Sequence, residues 1–186
     1  YFVMTSNVDG HFQRAGFDPE RIYECHGSIH YLQCHAGCLE TWPADAVNLV
    51  VDPVQFRAVS ELPRCPQCGA LARPNLLMFG DADWQSDRYE IQRERYKTWL
   101  ETVQNGRLVA IELGAGTVIA KVRRECEAVA WWVIRINPHD IEPPPHGVLL
   151  PVGAAEALTA LDTKLTALPR NLAQLNARVE DAVGAD

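Results

Sequence analysis

No stretch of about eighteen apolar residues occurs in this sequence, so a membrane-spanning helix is not expected. A charged-then-apolar leader is missing too, and without a secretory signal a cytoplasmic location is the expectation. Positive charge is scarce: 17 Lys and Arg against 24 Asp and Glu leave a net charge of -7. Binding along a phosphate backbone needs clustered cations, so a nucleic-acid partner is not expected, and with no apolar span or leader a membrane partner is not expected either. There is no internal repeat and no low-complexity segment. An initiating methionine is also lacking. The chain opens on Tyr1-Phe2-Val3-Met4-Thr5, a strand-like run that reads as an entry into the middle of a sheet, and hence as a fragment of something longer. What is present is 186 residues, 47% hydrophobic, enough for one sizeable core or one core with a small module. The oligomeric state is left open.

Six cysteines in a chain read as intracellular point to metal ligands or reactive thiols rather than disulfides. Four fall into pairs, Cys34-x3-Cys38 and Cys65-x2-Cys68, with 26 residues between them. Two facing turns, the second favoured by Pro66 and Gly69, bring four thiolates to one tetrahedral ion, and soft sulfur suits Zn²⁺. His35 competes as a ligand, but four cysteines need no substitute. Such a closed site holds a fold and does no chemistry. Cys25 and Cys126 read as small buried side chains. The segment Leu39 to Arg64 carries Pro43, Pro53 and Pro63 without a sustained period. It reads as an irregular or weakly stranded insert, organised by metal rather than by a core.

His26 follows Arg21-Ile22-Tyr23 and sits where a strand gives way to a loop. A histidine there titrates near neutral pH and is a candidate general base, with an ordinary structural histidine as the competing reading. Thr5-Ser6-Asn7-Val8-Asp9-Gly10 is a polar turn after the opening strand, suited either to capping or to holding a ligand, with Gly10 free to take positive φ. Arg73-Pro74-Asn75-Leu76-Leu77-Met78-Phe79-Gly80-Asp81 is an extended apolar run ending in a turn, and Leu76 and Met78 read equally well as core.

Beyond Asp81 the period becomes helical. Arg88 to Asn105 places Ile91, Tyr96, Trp99, Leu100 and Val103 at mostly helical spacing, with Gly106 as the stop. Leu108 to Leu113 reads as a buried strand ending in Gly114-Ala115-Gly116-Thr117, followed by a helix from Val118 to Ala130 and a strand from Trp131 to Ile136. This is a βαβ unit. Glycines at such a turn let a phosphate or ribose approach backbone N–H groups, although ordinary tight turns use the same residues. Pro143-Pro144-Pro145 marks a loop, Gly147 to Pro151 a strand, and Ala154 to Leu165 a helix. Residues 169–186 form a polar amphipathic tail with Leu172, Leu175 and Val179 at helical spacing.

Taken in order, these motifs resemble the catalytic core of the sirtuins, the NAD-dependent protein deacylases. The resemblance implies an α/β fold: a Rossmann-like parallel sheet, incomplete at its N-terminal side, with a small zinc-binding module inserted. The NAD-binding domain would comprise 1–30 and 74–168, the zinc module 31–73, and the helical tail 169–186. His26 would be the catalytic base, with Asn7 beside it at the catalytic centre. Ser6, Asn7, Asp9, His26, Gly114, Gly116, Thr117 and Asn137 would bind NAD. Leu77, Met78, Phe79 and Gly80 would hold an acylated lysine substrate peptide as an added strand. Zn²⁺ would sit on Cys34, Cys38, Cys65 and Cys68. Ser6 stands where the family usually has Gln, Leu77 where it has Val, Asp81 where it has Glu, and Ala115 and Gly116 replace Thr and Ser. The family's first βα unit, with its Gly-Ala-Gly loop, has no counterpart here, so weak NAD affinity is expected of this chain alone. The implied activity is acyl transfer from lysine to ADP-ribose with release of nicotinamide. NAD glycohydrolysis, ADP-ribosyl transfer and a catalytically silent NAD-binding module are the alternatives.

Overall fold

The computed structural model describes residues 1–168, so the tail expected over 169–186 lies outside the described residues. The chain divides into two compact units, Tyr1–Gly106 and the part from Arg107 onward.

In the first unit, β1 (Val3–Thr5) leads through the short helix α1 (His11–Arg14) and a 3-10 turn, Pro19–Arg21, into β2 (Ile22–Glu24). The two strands pair in parallel, Val3 against Ile22 and Thr5 against Glu24. After a turn at Cys25 and His26 come β3 (Gly27–Cys34), β4 (Trp42–Pro43), β5 (Val51–Asp52), β6 (Arg57–Ala58) and β7 (Ala72–Leu76). β3 is the centre of an antiparallel sheet, with β4 on one side and β7 on the other, while β5 and β6 form a separate hairpin. The insert is thus weakly stranded, as its sequence implies.

The long helix α2 (Asp87–Val103) packs on β2 and agrees with the helix expected from Arg88. Asp87 and Glu90 in its first turn favour the positive helix end. The core beneath it is Tyr23, Cys25 and Tyr96, with Phe2, Met4, Tyr89, Trp99 and Leu100 against them. Tyr23 and Tyr96 stack with ring centroids 5.7 Å apart, an arrangement contributing about 1 kcal/mol beyond the buried area.

In the second unit, β8 (Val109–Leu113), β9 (Trp132–Ile136) and β10 (Gly147–Leu150) form a parallel sheet in the order β10-β9-β8. α3 (Lys121–Val129) connects β8 to β9, and α4 (Ala154–Thr166) follows β10. The α/β class is therefore present, with a two-stranded parallel sheet in the first unit and a three-stranded parallel sheet in the second.

Two expectations need correction here. The strand over Leu108 to Leu113 is not buried throughout: Val109, Ile111 and Leu113 are exposed, and the buried residue is Glu112. Strand alternation puts Glu112 on the face covered by α3, where Arg135 of β9 donates to both its carboxylate oxygens and to Glu127 of α3. The apolar residues then necessarily fall on the opposite face. In addition, α3 begins at Lys121 rather than Val118, because Val118, 97% exposed, offers no apolar contact to anchor a first turn. No helix among the described residues is long and apolar enough to cross a membrane.

Candidate functional site

Cys34 ends β3, and Cys38, Cys65 and Cys68 come to it from turns on either side of the insert. Sulfur–sulfur distances are 3.5 Å for Cys34–Cys38 and Cys38–Cys65 and 3.6 Å for Cys34–Cys68, with all four sulfurs within 4.8 Å of one another. A tetrahedral ion with metal–sulfur bonds of about 2.3 Å requires edges of about 3.8 Å, so the four sulfurs fit zinc. The backbone N–H of Cys38 donates to the Cys34 sulfur and, with that of Ala36, pushes its thiol down to about 6. The Cys38 thiol is pushed up instead, first by its contact with the Cys68 sulfur. None of the described cysteines is in a disulfide. Cys25 is fully buried. Cys126 is half-buried, with its thiol pushed up to about 12 by burial.

The second group lies at the carboxyl ends of β1 and β2, the end of a parallel sheet at which ligands bind. Cys25 N donates to Thr5 O at 2.9 Å and Ile29 N to Val8 O at 3.0 Å, which lays the Ser6–Gly10 turn alongside the Cys25–Ile29 stretch. Ser6 and Asn7 are exposed, and His26 is half-buried. The Asp9 carboxylate accepts from His11 N at 3.0 Å, at the start of α1. Gly10 has φ +65 and would, with a Cβ, meet the His30 ring at 2.6 Å. His30 in turn lies with Nε2 3.0 Å from Asp9 O.

The run after β7 meets the same turn. Leu77 N donates to His26 O at 3.0 Å. The close approach depends on Gly27, which has φ +80 and whose Cβ would lie 2.0 Å from Asn75 O. From Leu77 onward the side chains are free of the core: Leu77 is 37%, Met78 60% and Phe79 91% exposed, which removes Met78 from the core. Arg73 closes the loop by donating to both oxygens of Asp81 at 2.8 and 2.9 Å, and Asp81 also accepts from Met78 N at 3.2 Å. The bond from Arg73 holds the Asp81 carboxyl below its usual range.

In the second unit the glycine turn sits at the carboxyl end of β8, where Gly114 N donates to Ile136 O at 2.9 Å. Gly116 and Thr117 are exposed. Asn137 is buried, and its polar atoms are committed to the loop: Nδ2 donates to Ala115 O, and Oδ1 accepts from His139 N and Asp140 N. Arg123 of α3 also donates to Ala115 O, at 2.9 Å.

Sequence reasoning missed several residues around these groups. Glu24, 1% exposed, lies beside the Cys25–His26 turn, accepts from Arg88, and takes part in a reciprocal pair with Gln92 of α2. A charged residue inside Ile22-Tyr23-Glu24-Cys25 was the available signal. The amides of Gln33 and Asn75 are joined under the sheet at 3.0 Å and hold the carbonyls of Asp83 and Gln85, which ties the loop before α2 to β3 and β7. His30 and the Arg73–Asp81 pair had no local signal.

The Sir2 family model matches residues 1–99. NAD-dependent protein deacylase 1 of Pseudomonas aeruginosa is 39% identical over 80 residues, 43% of this chain and 30% of that protein. A protein ADP-ribosyltransferase of Staphylococcus aureus is 27% identical over 120 residues, 62% of this chain and 38% of its own length. The chain thus spans about a third of the length of the curated relatives it matches. Among solved structures, a Sir2 homologue in complex with NAD superposes with a TM-score of 0.57 at 20% identity, over 87% of this chain and 56% of that one. A Sir2 structure with an inhibitor, 2'-O-acetyl-ADP-ribose and a deacetylated p53 peptide gives 0.58 at 18% identity, over 88% and 64%. These two likenesses establish the fold.

Proposed function

Because the chain belongs to the Sir2 family, we propose that it carries the central part of an NAD-dependent protein-lysine deacylase that transfers the acyl group to ADP-ribose and releases nicotinamide. What supports this most is the hydrogen bond from Leu77 N to His26 O, which couples a half-buried imidazole to an exposed apolar run suited to strand addition. The same end of β1 and β2 carries exposed Ser6 and Asn7, a donor and acceptor set that fits a ribose and a carboxamide.

In this reading Asn7 and Asp9, with Ser6, bind the nicotinamide ribose and carboxamide, and Gly114, Gly116, Thr117 and Asn137 hold the adenosine end. NAD, when bound, supplies the ribose carbon and hydroxyls that take over the acyl group. His26 accepts the proton of a ribose hydroxyl on a ring nitrogen. Leu77, Met78, Phe79 and Gly80 bind the acylated lysine peptide by main-chain pairing, with Leu77 and Phe79 along the acyl chain. Zinc on Cys34, Cys38, Cys65 and Cys68 braces the module over 31–73 and takes no part in the reaction. The body over 1–30 and 74–168 is the NAD-binding domain. A cytoplasmic location and the absence of a nucleic-acid partner belong to the same reading, in keeping with free thiols and a net charge of -7.

ADP-ribosyl transfer is the second reading, favoured by the Staphylococcus aureus relative, whose match reaches further along this chain. Mass spectrometry of an acetyl-lysine peptide incubated with NAD and this chain, or any longer form containing it, separates the two. O-acetyl-ADP-ribose is the expected product. Nicotinamide release that ignores the acetyl group overturns deacylation in favour of the second reading, and NAD binding without turnover leaves a silent module.

A further inference from the structure

The pairing of β3 with β7 breaks between Ser28 and Leu32, and His30 lies in the break. Its ring crosses to the Ser6–Gly10 turn, where Nε2 is 3.0 Å from Asp9 O. A carbonyl oxygen only accepts, so Nε2 carries the proton and donates. The main chain around the ring is tied at three points: His30 N donates to Ser28 Oγ at 3.3 Å, His30 O accepts from Ala44 N at 2.9 Å, and Ile29 N donates to Val8 O at 3.0 Å. The side chain is exposed, yet its backbone is fixed, so only the side-chain torsions remain to be ordered when the ring makes this bond.

Gly10 makes room for the ring. A Cβ there would come within 2.6 Å of His30 Cδ2 and 2.8 Å of Nε2, on a backbone with φ +65 that glycine adopts without strain. The Asp9–Gly10 peptide thus meets the ring twice, through the hydrogen bond at its oxygen and through the close approach at Gly10. Asp9 is also held through its carboxylate, where Oδ1 accepts from His11 N at 3.0 Å. The bond at the carbonyl restrains ψ of Asp9, and the bond at Oδ1 restrains its side-chain torsions. Oδ2 lies 3.5 Å from Nδ1 of the exposed His11 ring and has lone pairs to offer an amide N–H.

We propose that His30 is a positioning residue for the nicotinamide end of NAD, its Nε2–H holding the Asp9 carbonyl so that the Asp9 carboxylate is presented to the carboxamide. This rests on the role given to Asp9 in the deacylase reading. His30 acts through Asp9 and takes no part in making or breaking bonds. Displacing a contact group by about 1 Å forfeits most of what it contributes, so a residue that never meets the cofactor still sets its affinity.

Calorimetric titration of the whole chain, or of a longer form containing it, with NAD and with ADP-ribose tests this. His30→Phe keeps a ring beside Gly10 and removes the donor. NAD affinity is expected to fall about tenfold, whereas that for ADP-ribose, which has no carboxamide, stays within about twofold. His30→Gln, with an amide donor at about the reach of Nε2, is expected to bring NAD affinity back to within about threefold of the parent. A side chain that merely supported the fold would weaken both ligands alike. Nitrogen-15 spectra of the free chain give a readout without cofactor, the neutral His30 ring being expected as the Nε2–H tautomer. Equal losses for NAD and ADP-ribose, equal losses in the Phe and Gln variants, undiminished NAD affinity in His30→Phe, or an Nδ1–H tautomer would each overturn the proposal while leaving the role of Asp9 in place. Asp9→Ala tests that role itself: NAD affinity indifferent to this change, or absent from the parent, would overturn carboxamide binding by Asp9 and the proposal with it.

Discussion

The carbonyl oxygen of His26 accepts a hydrogen bond from the backbone N–H of Leu77 at 3.0 Å. This bond belongs to the main chain and survives any change of the His26 side chain. His26→Ala therefore separates chemistry from peptide binding. In the longest active form, acyl transfer is expected to fall by about 100-fold or more, the usual contribution of a general base. The affinity for an acetyl-lysine peptide, measured by fluorescence anisotropy, is expected to stay within about twofold of the parent, because the pairing groups are untouched. Retention of the parental rate would remove His26 from the reaction.

Gly27 permits that bond. A Cβ at this position would lie 2.0 Å from Asn75 O, on a backbone with φ +80. Backbone cannot yield as a side chain can, so Gly27→Ala must push β7 away from β3 and break the pairing of Gly27 with Leu76. Urea denaturation is expected to show a loss of at least about 2 kcal/mol. A midpoint equal to the parent's would mean that the strands separate without cost.

The cysteine cluster makes a stoichiometric prediction. Protein purified without chelator is expected to contain about one zinc per chain, four sulfur ligands being a complete set. Cys65→Ser, which replaces a buried sulfur with a harder and poorer ligand, is expected to abolish it. Removal of the ion should lower the melting temperature and expose four thiols to alkylation, while Cys25, buried in the core, stays protected. Inductively coupled plasma analysis with thiol counting by mass spectrometry reads both effects.

The parts of this structure that were legible in the sequence depend on residues close together in the chain. Cysteine spacing fixes a metal module locally, and His26 followed by Gly27 marks a strand end that the structure contains. The helix from Asp87 declares itself by the helical spacing of Tyr96, Trp99 and Leu100. Misreadings arise where a distant partner decides. In Leu108-Val109-Ala110-Ile111-Glu112-Leu113 the apolar majority suggested burial, but Arg135 on the neighbouring strand determines that Glu112 faces inward. The pairing of β3 with β7 skips from Ser28–Asn75 to Leu32–Pro74, and within the skipped stretch Ile29 and His30 reach the Ser6–Gly10 turn. Such a register shift is set by both strands and leaves no trace in either alone.

The Arg73–Asp81 pair carries a pH dependence of definite sign. Hydrogen bonding from Arg73 lowers the folded carboxyl below its unfolded value. The contribution of Asp81 to folding is therefore complete above the ordinary carboxylate range and is lost as pH falls through the lowered value. Since Met78 N donates to the same carboxylate, the Met78 amide resonance is expected to titrate with Asp81, below the pH at which exposed carboxylates change. Asp81→Asn should flatten that titration and speed proteolysis after Phe79. An amide unresponsive to acid would mean that the loop is held by something else.

Glu24 and Arg88 provide the last test, because one of them is a buried carboxylate. Glu24 is 1% exposed and accepts from Arg88, whose guanidinium also lies 4.1 Å from the Tyr31 ring centroid. Removing the cation leaves the anion without its charge partner in a site that water does not reach. Arg88→Met is therefore expected to cost about 3 kcal/mol in urea denaturation. Glu24→Gln keeps the shape and removes the charge, so the double variant should recover part of that loss. The interaction term of the double-mutant cycle would then be well above the scatter of independent sites, about 0.5 kcal/mol. Simple additivity would show that the pair does not act as a unit. In that case the turn bearing His26 is positioned by the Tyr23, Cys25 and Tyr96 core alone.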